Sequence, residues 1–179
     1  MEVTFVRHTA VRVDRTLCYG KTDVALADSF PDELQAIMRA LDGTPCDAVF
    51  CSPLSRCRRL AEEMALEGRG IEFDDRLVEL DFGDWEMAEW DSIFASPAGR
   101  AWFNDYVNVR CPNGEAFTDQ IARMNSFLDS LHTSDHRHVL VVTHAGCIRA
   151  ALCLLHGKAP ADAFATRLDY GQTVRFILD

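Results

Sequence analysis

The sequence is short of positive charge. It carries 18 Lys and Arg against 28 Asp and Glu, a formal net charge of −10. That deficit argues against a nucleic-acid surface, which needs clustered cations, and against an anionic membrane surface. It does not exclude a small anionic ligand, provided cations gather locally in one pocket. No apolar run approaches the roughly 18 residues of a membrane span. The N-terminus enters a strand pattern at once, without a charged n-region and apolar h-region, so secretion is not expected. Seven cysteines are present (Cys18, Cys46, Cys51, Cys57, Cys111, Cys147 and Cys153), with no Cys-x-x-Cys pair among them. Most sit in apolar runs, which fits reduced core packing in a cytoplasmic protein.

At 179 residues the chain suits one domain spanning 1–179 with a substantial core. The segments "EVTFV", "CDAVFCS", "HVLVVT" and "TVRFIL" read as strands, rich in Val, Ile and Phe. The near-continuous apolarity of "HVLVV" suits a strand covered on both faces. Between the strands lie helical stripes. Leu34, Ile37, Met38 and Leu41 form one, with Ser29 and Asp32 placed as a capping box. Leu54, Cys57, Ala61, Met64 and Ala65 form a second; Ile121, Met124, Leu128 and Leu131 form a third. "GCIRAALCLLHG" is apolar almost all round, a buried helix closing at Gly157. This alternation predicts an α/β fold: helices flanking a mostly parallel central sheet in three layers. Residues from about 82 to 114 break the rhythm with Trp85, Trp90, Phe94, Trp102, Phe103 and Tyr106, and are expected as a small insertion over the site.

Ligands of open α/β sheets bind beyond the carboxyl ends of the strands. There "EVTFV" delivers Arg7 and His8, "DAVFCS" delivers the turn "SPLSR" with Arg56, and "HVLVVT" delivers His144 ahead of a helix N-terminus. Two imidazoles, two guanidiniums and the helix N-termini make an anion site sized for a phosphoryl group. Taken alone, Arg7-His8 would more simply be a strand-end pair and Arg56 a solvated helix residue. "YGKT" is not a P-loop, because the glycine that motif needs is replaced by Arg15. "DHRH" at 135–138 lacks partners spaced for a metal site and reads as a solvated loop.

The segments "VRHT", "CSPLSRCRRLAE", "LVELDFGDWE" and "VVTHAG" occur in the order and spacing of the histidine phosphatase superfamily, the phosphoglycerate mutase-like proteins. The resemblance covers nearly the whole chain. "RHT" followed by "LCYGKTDVAL" is most similar to the α-ribazole phosphatase subgroup. It implies a phosphomonoesterase working through phosphohistidine, with a small phosphorylated metabolite as its partner and no cofactor or metal. It assigns His8 as nucleophile, Arg7 and Arg56 as grips on the non-bridging oxygens, and His144 as a further donor. Glu79 becomes the general acid, its pKa expected to be lifted by burial and by Asp81, Phe82 and Trp85. Tyr19, Gly20 and Thr22 are expected to line the substrate pocket. Ala25, Met87 and Asp14 depart from the family pattern; Asp14 would repel phosphate if it pointed inward.

The implied substrate is α-ribazole 5′-phosphate. A broad phosphatase of sugar phosphates or phosphoglycerate, or a non-catalytic phosphate-binding module, are the alternatives. The aromatic insertion could also serve a homodimer.

Overall fold

The computed structural model describes residues 1–64 and 70–178. Five strands, β1 (Glu2–Arg7), β2 (Ala48–Cys51), β3 (Ile71–Phe73), β4 (His138–Thr143) and β5 (Thr173–Ile177), form a sheet in the order β3-β2-β4-β1-β5. The first four pair in parallel; β5 runs antiparallel against β1 at the edge. Seven helices are described: α1 (Phe30–Ala40), α2 (Ser55–Glu63), α3 (Trp90–Ala95), α4 (Pro97–Asn104), α5 (Phe117–His132), α6 (Ala145–His156) and α7 (Pro160–Ala165).

Alternate side chains of a strand point to opposite faces, and both faces of this sheet are covered. Val3, Phe5, Phe50, Val139 and Val141 pack with residues of α5, α6 and α7. Val6, Val49, Cys51, Leu140 and Val142 pack with residues of α1 and α2. This is why β1 and β4 read as unbroken apolar runs. The result is the three-layer α/β architecture expected.

The details differ in places. β3, with the sequence "IEF", escapes a periodicity reading because it is a short edge strand whose Glu72 and Phe73 are exposed. The Ser29–Asp32 capping box does not form: the Ser29 hydroxyl donates to Glu33 Oε1 at 2.6 Å instead. Of the α1 stripe, Ile37 is buried but Met38 is 42 % exposed. In the second stripe Cys57, Ala61 and Met64 are buried with Leu60, while Ala65 lies outside the described residues. In the third, Met124, Leu128 and Leu131 are buried and Phe117 and Phe127 join them. α6 closes at Gly157 in the left-handed conformation, φ 61°, where a residue without Cβ fits without strain.

The 82–114 segment folds as a 3-10 turn (Gly83–Trp85) followed by α3 and α4. Phe82, Trp85, Ile93, Trp102 and Cys111 bury one another together with Cys18 and Leu80. Met87, which stands where a turn glycine is usual, takes φ 64°.

Phe127 is fully buried and meets Phe50 edge-to-face at 5.4 Å. Truncation of such a ring costs about 3–5 kcal/mol. Phe127→Ala is therefore expected to lower the denaturant midpoint sharply, and a loss under about 1 kcal/mol would contradict this packing.

Candidate active site

Parallel pairing sets the site's geometry. β1 and β4 align Arg7 with Thr143, so the next residues, His8 and His144, leave the sheet side by side. The His8 amide donates to Thr143 O at 3.0 Å, and the two imidazole centroids lie 5.1 Å apart. Both rings are buried. The structure places Arg7, His8, Tyr19, Arg56 and Glu79 on the walls of one cavity of about 180 Å³.

His8 Nδ1 lies 2.7 Å from Thr9 O. A carbonyl can only accept, so Nδ1 carries the proton and Nε2 keeps a free lone pair. Burial pushes the His8 pKa well below its ordinary value, helped by the neighbouring His144 and by the charges of Arg56 and Arg7. The ring is thus neutral at neutral pH. Arg7 contributes least of these, so burial rather than the adjacent cation keeps the ring uncharged.

Arg56 is a fully buried guanidinium. Its Nε donates to His144 Nδ1 at 3.3 Å, Nη1 to Thr22 O at 2.8 Å and Nη2 to Gly20 O at 2.5 Å. Each Nη keeps a second hydrogen for an anion. Arg7 donates through Nη1 to Leu168 O at 2.5 Å, and its guanidinium lies 3.9 Å from the centre of the Tyr170 ring. Its buried Nε has no hydrogen-bond partner among the described residues. Two planar cations therefore reach the cavity with donors to spare.

Three expectations meet corrections here. His144 was expected to offer a donor, yet its Nδ1 accepts from Arg56 and its Nε2 lies 2.8 Å from Ser52 Oγ. As placed, it holds Arg56 and lies behind the cavity wall. Gly20 and Thr22 likewise stand behind the wall and hold Arg56 through their carbonyls; only Tyr19 of that loop lines the cavity. A Cβ on Gly20 would fall 1.9 Å from Leu80 O, so that close approach requires glycine. The helix N-terminus of α6 is also engaged, because the Gly146 amide donates to Glu79 Oε2 at 3.1 Å.

Glu79 is the third correction. Burial acts to raise its pKa, but hydrogen bonds from Gln120, the Leu80 amide and the Gly146 amide, with the charge of Arg56, outweigh it and leave the pKa lowered. The Gln120 amide and the Leu80 amide each sit 3.0 Å from Oε1. Asp81 does not act on it as expected: its carboxylate accepts from the Gly83 amide and from Lys21 Nζ. Glu79 is therefore a carboxylate at neutral pH.

A family model of the histidine phosphatase superfamily, branch 1, matches residues 3–179. This chain belongs to the histidine phosphatase superfamily. The chain is 30% identical to the adenosylcobalamin/alpha-ribazole phosphatase of Salmonella typhimurium LT2, covering 96% of this chain and 87% of the relative. It is 29% identical to the protein of that name from Escherichia coli K12, with the same coverage. The crystal structure of the alpha-ribazole phosphatase from Shigella flexneri superposes with a TM-score of 0.89 at 25% identity, covering 98% of this chain and 89% of that one.

Several residues of this histidine phosphatase site escaped the sequence reading. Glu86 gathers the amides of Gly20, Lys21, Thr22 and Phe82 and the Thr22 hydroxyl, fixing the loop whose carbonyls hold Arg56. Gln120 and Arg149 line the cavity. Tyr170 shares a 2.8 Å hydrogen bond with the Tyr19 hydroxyl. Arg149 did leave a signal, as the lone cation in the apolar α6 sequence. Asp14 is exposed and accepts from the Thr16 amide, away from the cavity. Among the described residues no cluster of His, Cys, Asp or Glu is gathered for a metal ion. In "DHRH", the amides of Arg137 and His138 bond to the Asp47 carboxylate.

The two buried histidines link stability to pH. Unfolded, each titrates near 6.5; folded, both pKa values lie well below that. Below about pH 6.5 the unfolded chain binds protons that the native chain refuses, so stability is full above that value and falls as pH drops. The thermal midpoint should decline from pH 7 to pH 5, and His144→Gln should decline less steeply. Parallel declines in the two proteins would contradict neutral burial.

Proposed function

We propose that this chain is a phosphomonoesterase working through a phosphohistidine at His8, with α-ribazole 5′-phosphate as its substrate. One observation carries the chemistry: the His8 ring is buried and neutral, proton-locked at Nδ1 by Thr9 O, and lines a cavity with Arg7 and Arg56. The substrate assignment is supported by the names of relatives that match nearly this entire chain.

Nε2 of His8 attacks phosphorus in line, and the bond to the leaving oxygen breaks. Arg7 and Arg56 hold the non-bridging oxygens, where charge must be stabilised as the phosphoryl group transfers. Glu79 passes a proton to the departing alkoxide. In the second half, water attacks phosphorus, its proton goes to the Glu79 carboxylate, and the P–N bond returns its electron pair to Nε2. His144 positions Arg56 throughout. The seven cysteines, with no disulfide among the described residues, suit a reducing compartment such as the cytoplasm.

The lowered pKa of Glu79 has a consequence for pH. The carboxylate is ionised in the free site, so the proton needed by the alkoxide must enter with the ester. Phosphate monoesters hold that proton with a pKa near 6. For an alkyl ester, kcat/KM should therefore peak on the acid side of neutrality and fall about tenfold per pH unit above roughly pH 6. A profile flat to pH 8 would show that Glu79 is already protonated in the free enzyme.

The substrate claim is tested by a turnover panel of α-ribazole 5′-phosphate, mononucleotides, sugar phosphates and phosphoglycerate. A kcat/KM for the first that exceeds the rest at least tenfold is expected. Comparable values would make the enzyme a broad phosphatase. Binding of phosphate without turnover of any ester would make it a binding module.

A further inference from the structure

The cavity above His8 is too small for a whole metabolite. Its volume of about 180 Å³ falls below the roughly 300–1,000 Å³ usual for small-molecule sites. It suits a phosphoryl group and its first neighbouring atoms, so the rest of the ester must lie in an adjoining hollow.

Among the described residues, hollows on two sides share walls with it. The first, of about 350 Å³, meets the cavity at Glu79 and is otherwise lined chiefly by ions, Lys21, Asp75, Asp81, Glu115 and Arg123. Those ions are largely committed to one another, Lys21 to Asp81 at 3.2 Å and Arg123 to Glu115 at 3.0 Å. The second, of about 470 Å³, meets the cavity along two walls, Phe82 and Phe164, and is completed by Trp90, Trp102, Phe103 and Tyr106. Every residue lining it is aromatic. The two indoles lie within 24° of parallel, while Phe82, Phe103 and Phe164 stand edge-on to Trp102. Such a box presents both ring faces and ring edges to an occupant, the arrangement that favours a flat π system over an aliphatic chain.

Arg149 stands where the two spaces join. It lines the phosphate cavity, and its guanidinium lies 5.3 Å from the centre of the shared Phe164 ring. Nε and Nη2 donate to Thr166 O at 3.3 and 3.2 Å. Nη1 has no hydrogen bond among the described residues.

We propose that the aromatic hollow is the leaving-group subsite of this phosphatase and that it takes a flat, fused nitrogen heterocycle. Arg149 Nη1 donates to the hydroxyls of the unit linking that ring to the phosphate. The proposal rests on the phosphatase reading above and adds to it the residues that select the substrate. It assigns selection to the insertion, whose α3 and α4 supply Trp90, Trp102 and Phe103, and leaves the phosphoryl chemistry to the sheet edge.

The test compares α-ribazole 5′-phosphate with ribose 5′-phosphate, which presents a similar ester without the ring, on the wild type and on Phe103→Ala. Phe103 is 38% exposed, which makes it the least structural wall to truncate. The wild type should favour the ring-bearing ester, and Phe103→Ala should cut that preference about tenfold, the effect expected for loss of one stacking partner. Because the readout is a ratio from a single preparation, partial misfolding does not affect it. Equal losses on both esters would overturn the subsite and leave the phosphatase reading intact. Free benzimidazole provides the independent arm: it should quench the emission of Trp90 and Trp102, more weakly in Phe103→Ala. A wild type inert toward both esters but quenched by benzimidazole would remove the catalytic reading and keep the subsite; absence of quenching would remove the subsite. A dimer in sedimentation that Phe103→Ala dissociates would also overturn it, since a second copy would then cover the hollow.

Discussion

A guanidinium with no exposure to water governs this site. Burying a cation is costly unless its donors are met, and Arg56 meets three of them with Gly20 O, Thr22 O and His144 Nδ1. Its charge then acts on the surrounding groups. It disfavours protonation of His8 and His144 and favours ionisation of Glu79. Burial does most to keep both imidazoles neutral, and at Glu79 hydrogen bonds outweigh burial; the one fixed charge of Arg56 pushes all three toward the deprotonated form. The loop that supplies two of its acceptors is itself held by Glu86, whose carboxylate collects four amides and a hydroxyl.

The sheet supplies what no local interaction could. Register between β1 and β4 sets His8 beside His144, although the two are far apart in sequence. A one-residue slip would turn every side chain of the strand to the opposite face. The two faces of β1 and β4 pack against different sets of side chains, so such a slip would disrupt both cores, and the packing that stabilises the fold also fixes the spacing of the imidazoles.

Much of this was legible in the sequence. The strand cores, the buried α6 and its Gly157 stop follow from apolar patterning, and the convergence of Arg7, His8, Arg56 and His144 follows from where strands end. What stayed hidden depends on tertiary contacts. β3 is a three-residue edge strand with two exposed side chains, so it carries no period. The environment of Glu79 comes from Gln120 on α5 and the amide of Gly146 on α6, which are distant in sequence; adjacent Asp81 proved a misleading guide. Tyr170 meets Arg7 and Tyr19 only because β5 returns antiparallel against β1. Glu86 carries no local signal, because its function lies in amides that only the folded loop presents.

The account divides labour between a rigid sheet edge that performs phosphoryl transfer and an aromatic insertion that receives what departs. Its central claim concerns a single atom, Nε2 of His8. Rapid quenching in alkali during turnover, followed by peptide mapping, addresses that atom directly. The account predicts one phosphoryl group on His8, stable in alkali, lost in acid, and forming no more slowly than product. A phosphoryl group that survives acid, or turnover that proceeds at full rate in His8→Asn, would contradict it.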